Sequence, residues 1–145
     1  GYIDSKGKIV IEPKFNDAWN FSSNLAPAKT SQKWGYINRK GEFVVQPQFD
    51  GAFNLVESMG RVRVGDRWGF IDQSGKVAIA PQFNFASDFS NGLALVQIGN
   101  QWGYVDKSGK VAIEPKYSFA SSFSDGLAAV KINDRWGFID TSGKV

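Results

Sequence analysis

Residues 69–102 read GFIDQSGKVAIAPQFNFASDFSNGLALVQIGNQW, and this stretch decides the fold. The stretch that follows it, residues 103–136, is identical to it at about 20 of 34 positions without a gap, which excludes chance similarity. A Trp-Gly dipeptide marks each junction, and successive dipeptides are 34 residues apart. The dipeptides are Trp34-Gly35, Trp68-Gly69, Trp102-Gly103 and Trp136-Gly137. The chain is therefore a tandem array of one unit.

The array fills residues 1–145 as a single repeat domain. Its units are residues 1–34, 35–68, 69–102 and 103–136, followed by a partial unit at residues 137–145. Because the chain opens at Gly1-Tyr2, in the middle of a repeat, we expect it to be a fragment of a longer protein.

Each unit contains three short apolar runs that are rich in Val, Ile and aromatic residues and are separated by turn signals. Such runs are typical of β-strands. They predict an antiparallel three-stranded meander with strands at residues 93–98, 101–106 and 110–114. In the linker to the next unit, apolar residues recur every three positions, which predicts one or two turns of α-helix or 3₁₀-helix.

Two kinds of turn join the predicted strands. The stretches Asp72–Lys76 and Asp106–Lys110 fit a type I turn followed by a Gly bulge, in which the Asp carboxylate caps the turn and the Gly takes a positive φ. The dipeptides Gly65-Asp66, Gly99-Asn100 and Asn133-Asp134 suit two-residue hairpin loops. These turns set the register of the meander.

Side chains alternate along a strand, so this register sorts them onto two faces. We expect one aliphatic face, consisting of Val96, Ile98, Gly103, Val105, Val111 and Ile113. We expect the opposite face to consist of Leu95, Gln97, Trp102, Tyr104, Ala112 and Glu114. A free three-stranded sheet is marginal in water, so each unit must bury one or both faces against its neighbours.

The sequence therefore predicts an all-β array in which the units stack as an open, solenoid-like superhelix. A closed β-propeller is the alternative. Thirty-four residues are few for a four-stranded propeller blade, and the chain is about a quarter of a unit longer than four repeats. Both points favour the open form.

Three motifs recur in order along the whole chain. They are Trp-Gly-[Phe/Tyr]-[Ile/Val]-Asp-x-x-Gly-Lys, then [Val/Ile]-x-Pro-x-[Phe/Tyr], then Phe-Ser-x-Gly-Leu-Ala. This series resembles the bacterial WG repeat family, also called the WG β-repeat. The resemblance implies a β-rich accessory region of larger bacterial proteins, and it implies no common catalytic activity. Residues 55–61 depart most from the third motif, and Asn24, Pro27 and Asn38 are further departures in or next to the first copy.

The composition argues against an enzyme or a metal centre. The chain has no Cys and no His, which removes thiolate nucleophiles, His bases and Cys/His metal sites. We interpret Asp4, Asp72, Asp106 and Asp140 as turn caps rather than as catalytic acids. The Ser-Gly-Lys stretches lack the upstream glycine of a phosphate loop, and the same turns offer few oxygens for Ca²⁺. We therefore expect no catalysis, no cofactor and no metal ion.

Repetition without catalytic residues indicates a protein-interaction or scaffold module of a larger bacterial protein. Because aromatic residues make up 14% of the chain, a carbohydrate- or cell-envelope-binding module is the alternative. The net charge of +3 is spread along the chain, which disfavours nucleic acid as the partner. No window of the sequence resembles a membrane span.

Basic residues point to candidate ligand-binding positions. One repeat position holds Lys29, Arg63, Gln97 and Lys131, and another holds Lys33, Arg67, Gln101 and Arg135. These columns form either a positive stripe for an anionic partner or a set of side chains packed on the Trp rings opposite. Departures from the repeat are the second pointer, namely Trp19, Pro27, Glu57, Met59, Arg61 and Arg63. Our candidates are Lys29, Arg61, Arg63 and Lys131.

Overall fold

The computed structural model describes all of residues 1–145 and contains β-strands but no helix. Seventeen strands form five separate antiparallel sheets. From the second sheet onward, each sheet begins 34 residues after the one before it, at Asp17, Gly51, Phe85 and Phe119. The prediction of an all-β fold is confirmed.

The strands follow one another in chain order within every sheet. Sheet 1 consists of β1 (Tyr2–Ile3) and β2 (Ile9–Ile11). Sheet 2 consists of β3 (Asp17–Ala18), β4 (Ala26–Thr30), β5 (Lys33–Ile37) and β6 (Phe43–Phe49). Sheet 3 consists of β7 (Gly51–Val56), β8 (Met59–Val64), β9 (Arg67–Asp72) and β10 (Val77–Phe83). Sheet 4 consists of β11 (Phe85–Ser90), β12 (Leu93–Ile98), β13 (Gln101–Asp106) and β14 (Val111–Tyr117), and sheet 5 of β15 (Phe119–Ala120), β16 (Leu127–Ile132) and β17 (Arg135–Asp140).

The linker that we predicted as a helical turn is instead the first strand of each sheet, which we call the linker strand. In β11, Ala86 pairs with Val96, and the register shifts before Phe89 pairs with Ala94. Ala86 and Phe89 therefore face the same core although they are three residues apart. A β-bulge adds one residue to a strand, so three-residue spacing here reflects a bulge and not a helix.

One hydrophobic core fills the space between each pair of neighbouring sheets. The core between sheets 4 and 5 includes Tyr104 and Tyr117 from sheet 4 and Phe123 and Val130 from sheet 5, all at most 2% exposed. Burying a large apolar side chain stabilises the fold by roughly 1.5–3 kcal/mol. The prediction that units bury their faces against their neighbours is confirmed.

The two faces of sheet 4 agree with the prediction except in its fourth strand. Val105 faces sheet 3 and Tyr104 faces sheet 5, as expected. Ile113, however, lies with Tyr104 rather than with Val105. Val111 pairs with Val105, whereas Ile113 pairs with the preceding residue of β13. This bulge reverses the alternation of side chains between the two pairs.

A second irregularity in β14 explains the glycine of the Trp-Gly dipeptide. Trp102 pairs with Tyr117, so two residues of β13 span the same distance as four residues around Pro115. A Cβ atom on Gly103 would lie 2.6 Å from the carbonyl oxygen of Ile113 and 2.7 Å from the nitrogen of Pro115. No side chain fits there, so the fold requires glycine at this position.

The array is open, because its first and last sheets do not pair with each other. No hydrogen-bonded strand pair joins sheet 1 to sheet 5. The 34-residue unit nevertheless holds four strands, so it is not too short for a four-stranded sheet as we expected. The linker strand supplies the fourth strand.

Candidate binding surface

Aromatic rings form an unbroken row of contacts, alternately within one sheet and between neighbouring sheets, which we call the aromatic ladder. Its successive ring centroids lie 5.4–6.4 Å apart at interplanar angles of 30–68°. Tilted and edge-on contacts at these distances are the favourable geometry for aromatic pairs. The members are Trp34, Trp19, Phe53, Trp68, Phe85, Trp102, Phe119 and Trp136.

Some rings of the ladder are buried and others are exposed. Trp34 is buried, and Trp68 and Trp102 are half-buried. Trp19 and Trp136, near opposite ends of the row, are 48% and 59% exposed. The ladder therefore joins the sheets and also presents aromatic rings to solvent.

Three of the four candidate basic residues lie beside the ladder. Lys29 is paired with Trp34, and its ammonium lies 5.9 Å from the centroid of that ring. Arg63 is paired with Trp68 and Lys131 with Trp136, as the predicted register requires. The cation–π contact that we expected is thus present at Lys29.

Arg63 and Lys131, the other two basic residues at this repeat position, bind groups of their own hairpin turns rather than a Trp ring. The Arg63 guanidinium donates to the carbonyl of Gly65 at 2.6 Å, and Lys131 lies 3.2 Å from Asp134. Both groups therefore stabilise their own hairpin turns. In the neighbouring column, Arg67 and Arg135 are exposed and form no salt bridge.

Arg61, the fourth candidate, lies apart from this column, between sheets 3 and 4. Its Nε is 2.7 Å from Oδ1 of Asp88, and its guanidinium lies 4.7 Å from the Phe53 ring centroid and 5.4 Å from that of Trp68. The side chain is only 19% exposed. Leu95 is at the same repeat position in sheet 4, so Arg61 takes the place of a core residue and links two sheets.

Sequence reasoning missed a set of polar side chains that precede the linker strands. Oδ2 of Asp50 accepts a hydrogen bond from the nitrogen of Gly65 at 2.7 Å, and Oδ1 of Asn84 accepts one from Gly99 at 2.9 Å. Lys33 binds Asp50 at 2.5 Å, and this hydrogen bond lowers the pKa of the Asp50 carboxyl. The sequence feature that could have revealed this set is an Asn or Asp at the same repeat position in three units, at Asn16, Asp50 and Asn84.

The recurring Asp residues cap turns, as predicted. Oδ1 of Asp72 accepts hydrogen bonds from the hydroxyl of Ser74 at 2.6 Å and from the backbone nitrogens of Ser74 and Lys76. The serine hydroxyl is the main reason why the pKa of Asp72 is lowered. Gly75 has a φ of 85°, which confirms the predicted Gly bulge. The same arrangement recurs at Asp106 and Asp140.

The structure shows no cluster of three or more His, Cys, Asp or Glu residues that could hold a metal ion, and no enclosed pocket. It also has no helix of the length and apolarity that a membrane crossing requires.

Four-stranded sheets that recur at a fixed interval and are joined through stacked aromatic rings define a tandem β-repeat protein. The sequence profile described as "WG containing repeat" matches residues 1–34, 34–68, 68–102 and 102–136, so the chain belongs to the WG repeat family. A search of curated proteins found no match.

Among solved structures, the chain is similar to a plant lectin with two metal-binding sites from Cicer arietinum. The sequence identity is 11%, the TM-score is 0.34, and the match covers 88% of this chain and 87% of the lectin chain. We transfer neither lectin activity nor metal binding from this similarity.

Proposed function

We propose that this chain is a non-catalytic protein-interaction or scaffold module of a larger bacterial protein. The observation that carries the proposal is a constant interior combined with a variable surface. The second residue of every linker strand is alanine, and each of these alanines belongs to or packs against an inter-sheet core. They are Ala18, Ala52, Ala86 and Ala120.

The residue before these alanines is not the same in all four sheets. The preceding position holds Asp17, Gly51, Phe85 and Phe119. The basic column next to it changes as well, with Gln97 in sheet 4 where the other sheets have Lys or Arg. Repeat proteins form extended binding surfaces by varying exposed positions on a repeated core.

The chemistry along the ladder also suits a protein partner. Aromatic residues and arginine are enriched in protein interfaces and contribute much of the binding energy. Here Trp19 is exposed on the ladder, and the Arg61 guanidinium lies against the ladder rings of Phe53 and Trp68. A partner segment in extended conformation would contact several sheets in succession.

Charge reversal on the ladder side tests this proposal. We would compare the proteins retained from a bacterial lysate by the wild-type chain and by a Lys29→Glu/Lys131→Glu variant, which changes two residues paired with ladder rings. A matched control, Lys76→Glu/Lys110→Glu, reverses two exposed charges next to the Asp-capped turns. We expect a protein that binds the wild type and the control but not the ladder-side variant. Equal retention by all three chains, or retention by none, would contradict the proposal.

Exposed tryptophan favours carbohydrate binding as a second candidate function. Sugar rings stack on free aromatic faces, and about half of the Trp19 side chain is accessible. Against this candidate, Trp19 also contacts the rings of Trp34 and Phe53. A carbohydrate function requires saturable quenching of Trp fluorescence by a defined oligosaccharide, which Trp19→Ala should weaken. A glycan array without binding would remove this candidate and leave the protein-interaction proposal untouched.

A further inference from the structure

The turn between β11 and β12 holds the one Asn-Gly dipeptide of the chain, Asn91-Gly92. Ser90 pairs with Leu93, so these two residues form the whole loop of a hairpin. Their φ angles are 52° and 77°, as a two-residue hairpin turn requires, and both residues are exposed. Glycine has no side chain that shields its backbone nitrogen, so this nitrogen can attack the side-chain amide of the asparagine before it.

The nitrogen that would make this attack is bound by the preceding sheet. Gly92 donates its N–H to Oε2 of Glu57 at 3.0 Å. Glu57 lies in the turn between β7 and β8 of sheet 3 and departs from the repeat. The same carboxylate is 3.7 Å from Nζ of Lys107, so it contacts sheet 4 at two points. Attack requires the Gly92 proton to leave, and a carboxylate beside the nitrogen opposes the negative charge that then develops.

The side-chain amide of Asn91 is bound on the opposite side, by the following sheet. Its Oδ1 accepts a hydrogen bond from the nitrogen of Gly126 at 3.0 Å. Gly126 lies in the corresponding turn of sheet 5, between β15 and β16. The stacked array therefore directs the attacking N–H toward sheet 3 and the reacting amide toward sheet 5.

We propose that Asn91 is a deamidation site whose reaction is suppressed while Glu57 binds Gly92 and proceeds when sheets 3 and 4 separate. The nitrogen of Gly92 forms a bond to Cγ of Asn91, the bond from Cγ to Nδ2 breaks, and Nδ2 leaves as ammonia with the proton from Gly92. Water then opens the resulting succinimide at either carbonyl, which gives aspartate or isoaspartate. The reaction consumes only water, and this inference does not depend on the proposed protein partner.

The two products affect the array differently. Aspartate keeps an oxygen that can accept the hydrogen bond from Gly126, and Asp125 already occupies this repeat position in sheet 5. Isoaspartate adds a methylene group to the backbone of a two-residue loop, and the length of that loop sets the register of the hairpin. A chain whose sheets have separated and restacked therefore retains a chemical change at this turn.

The rate of deamidation of the folded chain tests the proposal. We would incubate the wild type, Glu57→Ala and Glu114→Ala at mildly alkaline pH and follow residue 91 by peptide mass spectrometry and by isoaspartate-specific enzymatic methylation. Glu57→Ala should react roughly fivefold faster than the wild type, because one hydrogen bond that restrains Gly92 is lost. Glu114→Ala removes an exposed carboxylate that forms no salt bridge and should react at the wild-type rate. In concentrated urea all three chains should react equally fast, and faster than the folded wild type.

Tyr36→Phe separates loss of the Glu57 contact from a general loss of stability. It removes the hydrogen bond from the Tyr36 hydroxyl to the carbonyl of Phe53, at 2.7 Å between sheets 2 and 3, and leaves Glu57 in place. We expect a lower urea midpoint for this variant but a wild-type rate of deamidation. A Tyr36→Phe chain that reacts as fast as Glu57→Ala would show that the reaction follows global unfolding, which contradicts the proposal. A Glu57→Ala chain that reacts no faster than the wild type would overturn it as well, and a slower one would show that Glu57 assists the attack as a base.

Discussion

The linker strands of sheets 2 and 3 differ from those of sheets 4 and 5 in where they hold their aromatic ring. The first pair reads Asp17-Ala18-Trp19 and Gly51-Ala52-Phe53, and the second reads Phe85-Ala86-Ser87 and Phe119-Ala120-Ser121. The ring moves by two residues, which keeps it on the same face of a strand. All four rings join the aromatic ladder. The array thus maintains the ring contacts of the ladder without keeping an aromatic residue at one fixed repeat position.

The third residue of the linker strand holds the ring in sheets 2 and 3 and a serine in sheets 4 and 5. In sheets 4 and 5, the hydroxyl oxygens of Ser87 and Ser121 accept hydrogen bonds from the nitrogens of Leu95 and Ala129, each at 3.0 Å. In sheet 2 the residue at the donor position is Pro27, which has no N–H to satisfy. The linkers of sheets 2, 4 and 5 therefore match the strand beside them.

The largest expected loss of stability tests whether sheet 2 and sheet 4 require glycine for the same reason. Gly35→Ala and Gly103→Ala should each destabilise the fold by about 3 kcal/mol, because the added methyl group meets backbone atoms of the fourth strand that cannot move aside. Urea denaturation monitored by circular dichroism measures this loss. Gly137→Ala, at the same repeat position without a fourth strand, is the control and should be neutral in dilute solution. Similar losses for all three variants would mean that the glycine matters for another reason.

The next largest expected effect on stability comes from removing or moving the ring of a linker strand. Phe85→Ala removes the ring between Trp68 and Trp102, at 6.1 Å and 5.5 Å, and should cost about 2 kcal/mol because Phe85 is half-buried. A Phe85→Gly/Ser87→Phe variant copies the linker of sheet 3 and should recover part of the loss. Recovery should be incomplete, since Leu95 loses the acceptor that Ser87 provided. If the double variant is less stable than Phe85→Ala, the two linker versions are not interchangeable.

Turn chemistry made most of the fold predictable from sequence. The Asp-capped turns and two-residue hairpins correctly predicted the pairing of Arg63 with Trp68 and of Lys131 with Trp136. Unlike the Gly bulge of the turns, the bulges in the linker strands and fourth strands were not predictable, because they depend on how a strand bends over its neighbours. They produced both errors, the helical linker and the face of Ile113.

The candidate surface was less predictable than the fold. The aromatic ladder combines contacts within sheets and contacts between sheets, and its rings occupy three different repeat positions, so alignment of the units does not reveal it. The sequence marks Arg61 as a departure from the repeat, but its partner Asp88 is 27 residues away on the next sheet. Contacts between sheets depend on how the sheets stack, and a period of 34 residues does not specify that stacking.

A smaller difference in stability between sheets is expected from a buried tyrosine hydroxyl group. The Tyr104 hydroxyl donates to the carbonyl of Ser121 at 2.7 Å, and sheet 3 has Phe70 at this position and no such bond. Tyr104→Phe should therefore cost about 1 kcal/mol, measured by thermal or urea denaturation. Tyr2→Phe removes the same bond at an exposed site, where water replaces it, and should cost less. Equal losses at both sites would show that burial does not set the value of this bond.

The smallest expected effect concerns acid sensitivity, which should differ between turns capped by Asp and the turn capped by Asn38. Asn38 accepts hydrogen bonds from the nitrogens of Lys40 and Glu42 with an amide oxygen that does not titrate. The pKa of Asp106 is lowered, mainly by the Ser108 hydroxyl, so its contribution is present above the pKa of an unfolded Asp. That contribution disappears as the pH falls through the lower pKa of the folded state.

Asp106→Asn should therefore be less stable than the wild type at pH 6, by less than about 1 kcal/mol because the site is solvent-screened, and the difference should shrink toward pH 2.5. Asn38→Asp should show the opposite trend, with added stability at pH 6 that is lost in acid. Urea midpoints at the two pH values, compared between the variants and the wild type, measure both trends. A difference between Asp106→Asn and the wild type that stays constant with pH would show that the turn depends on the shape of the side chain and not on its charge.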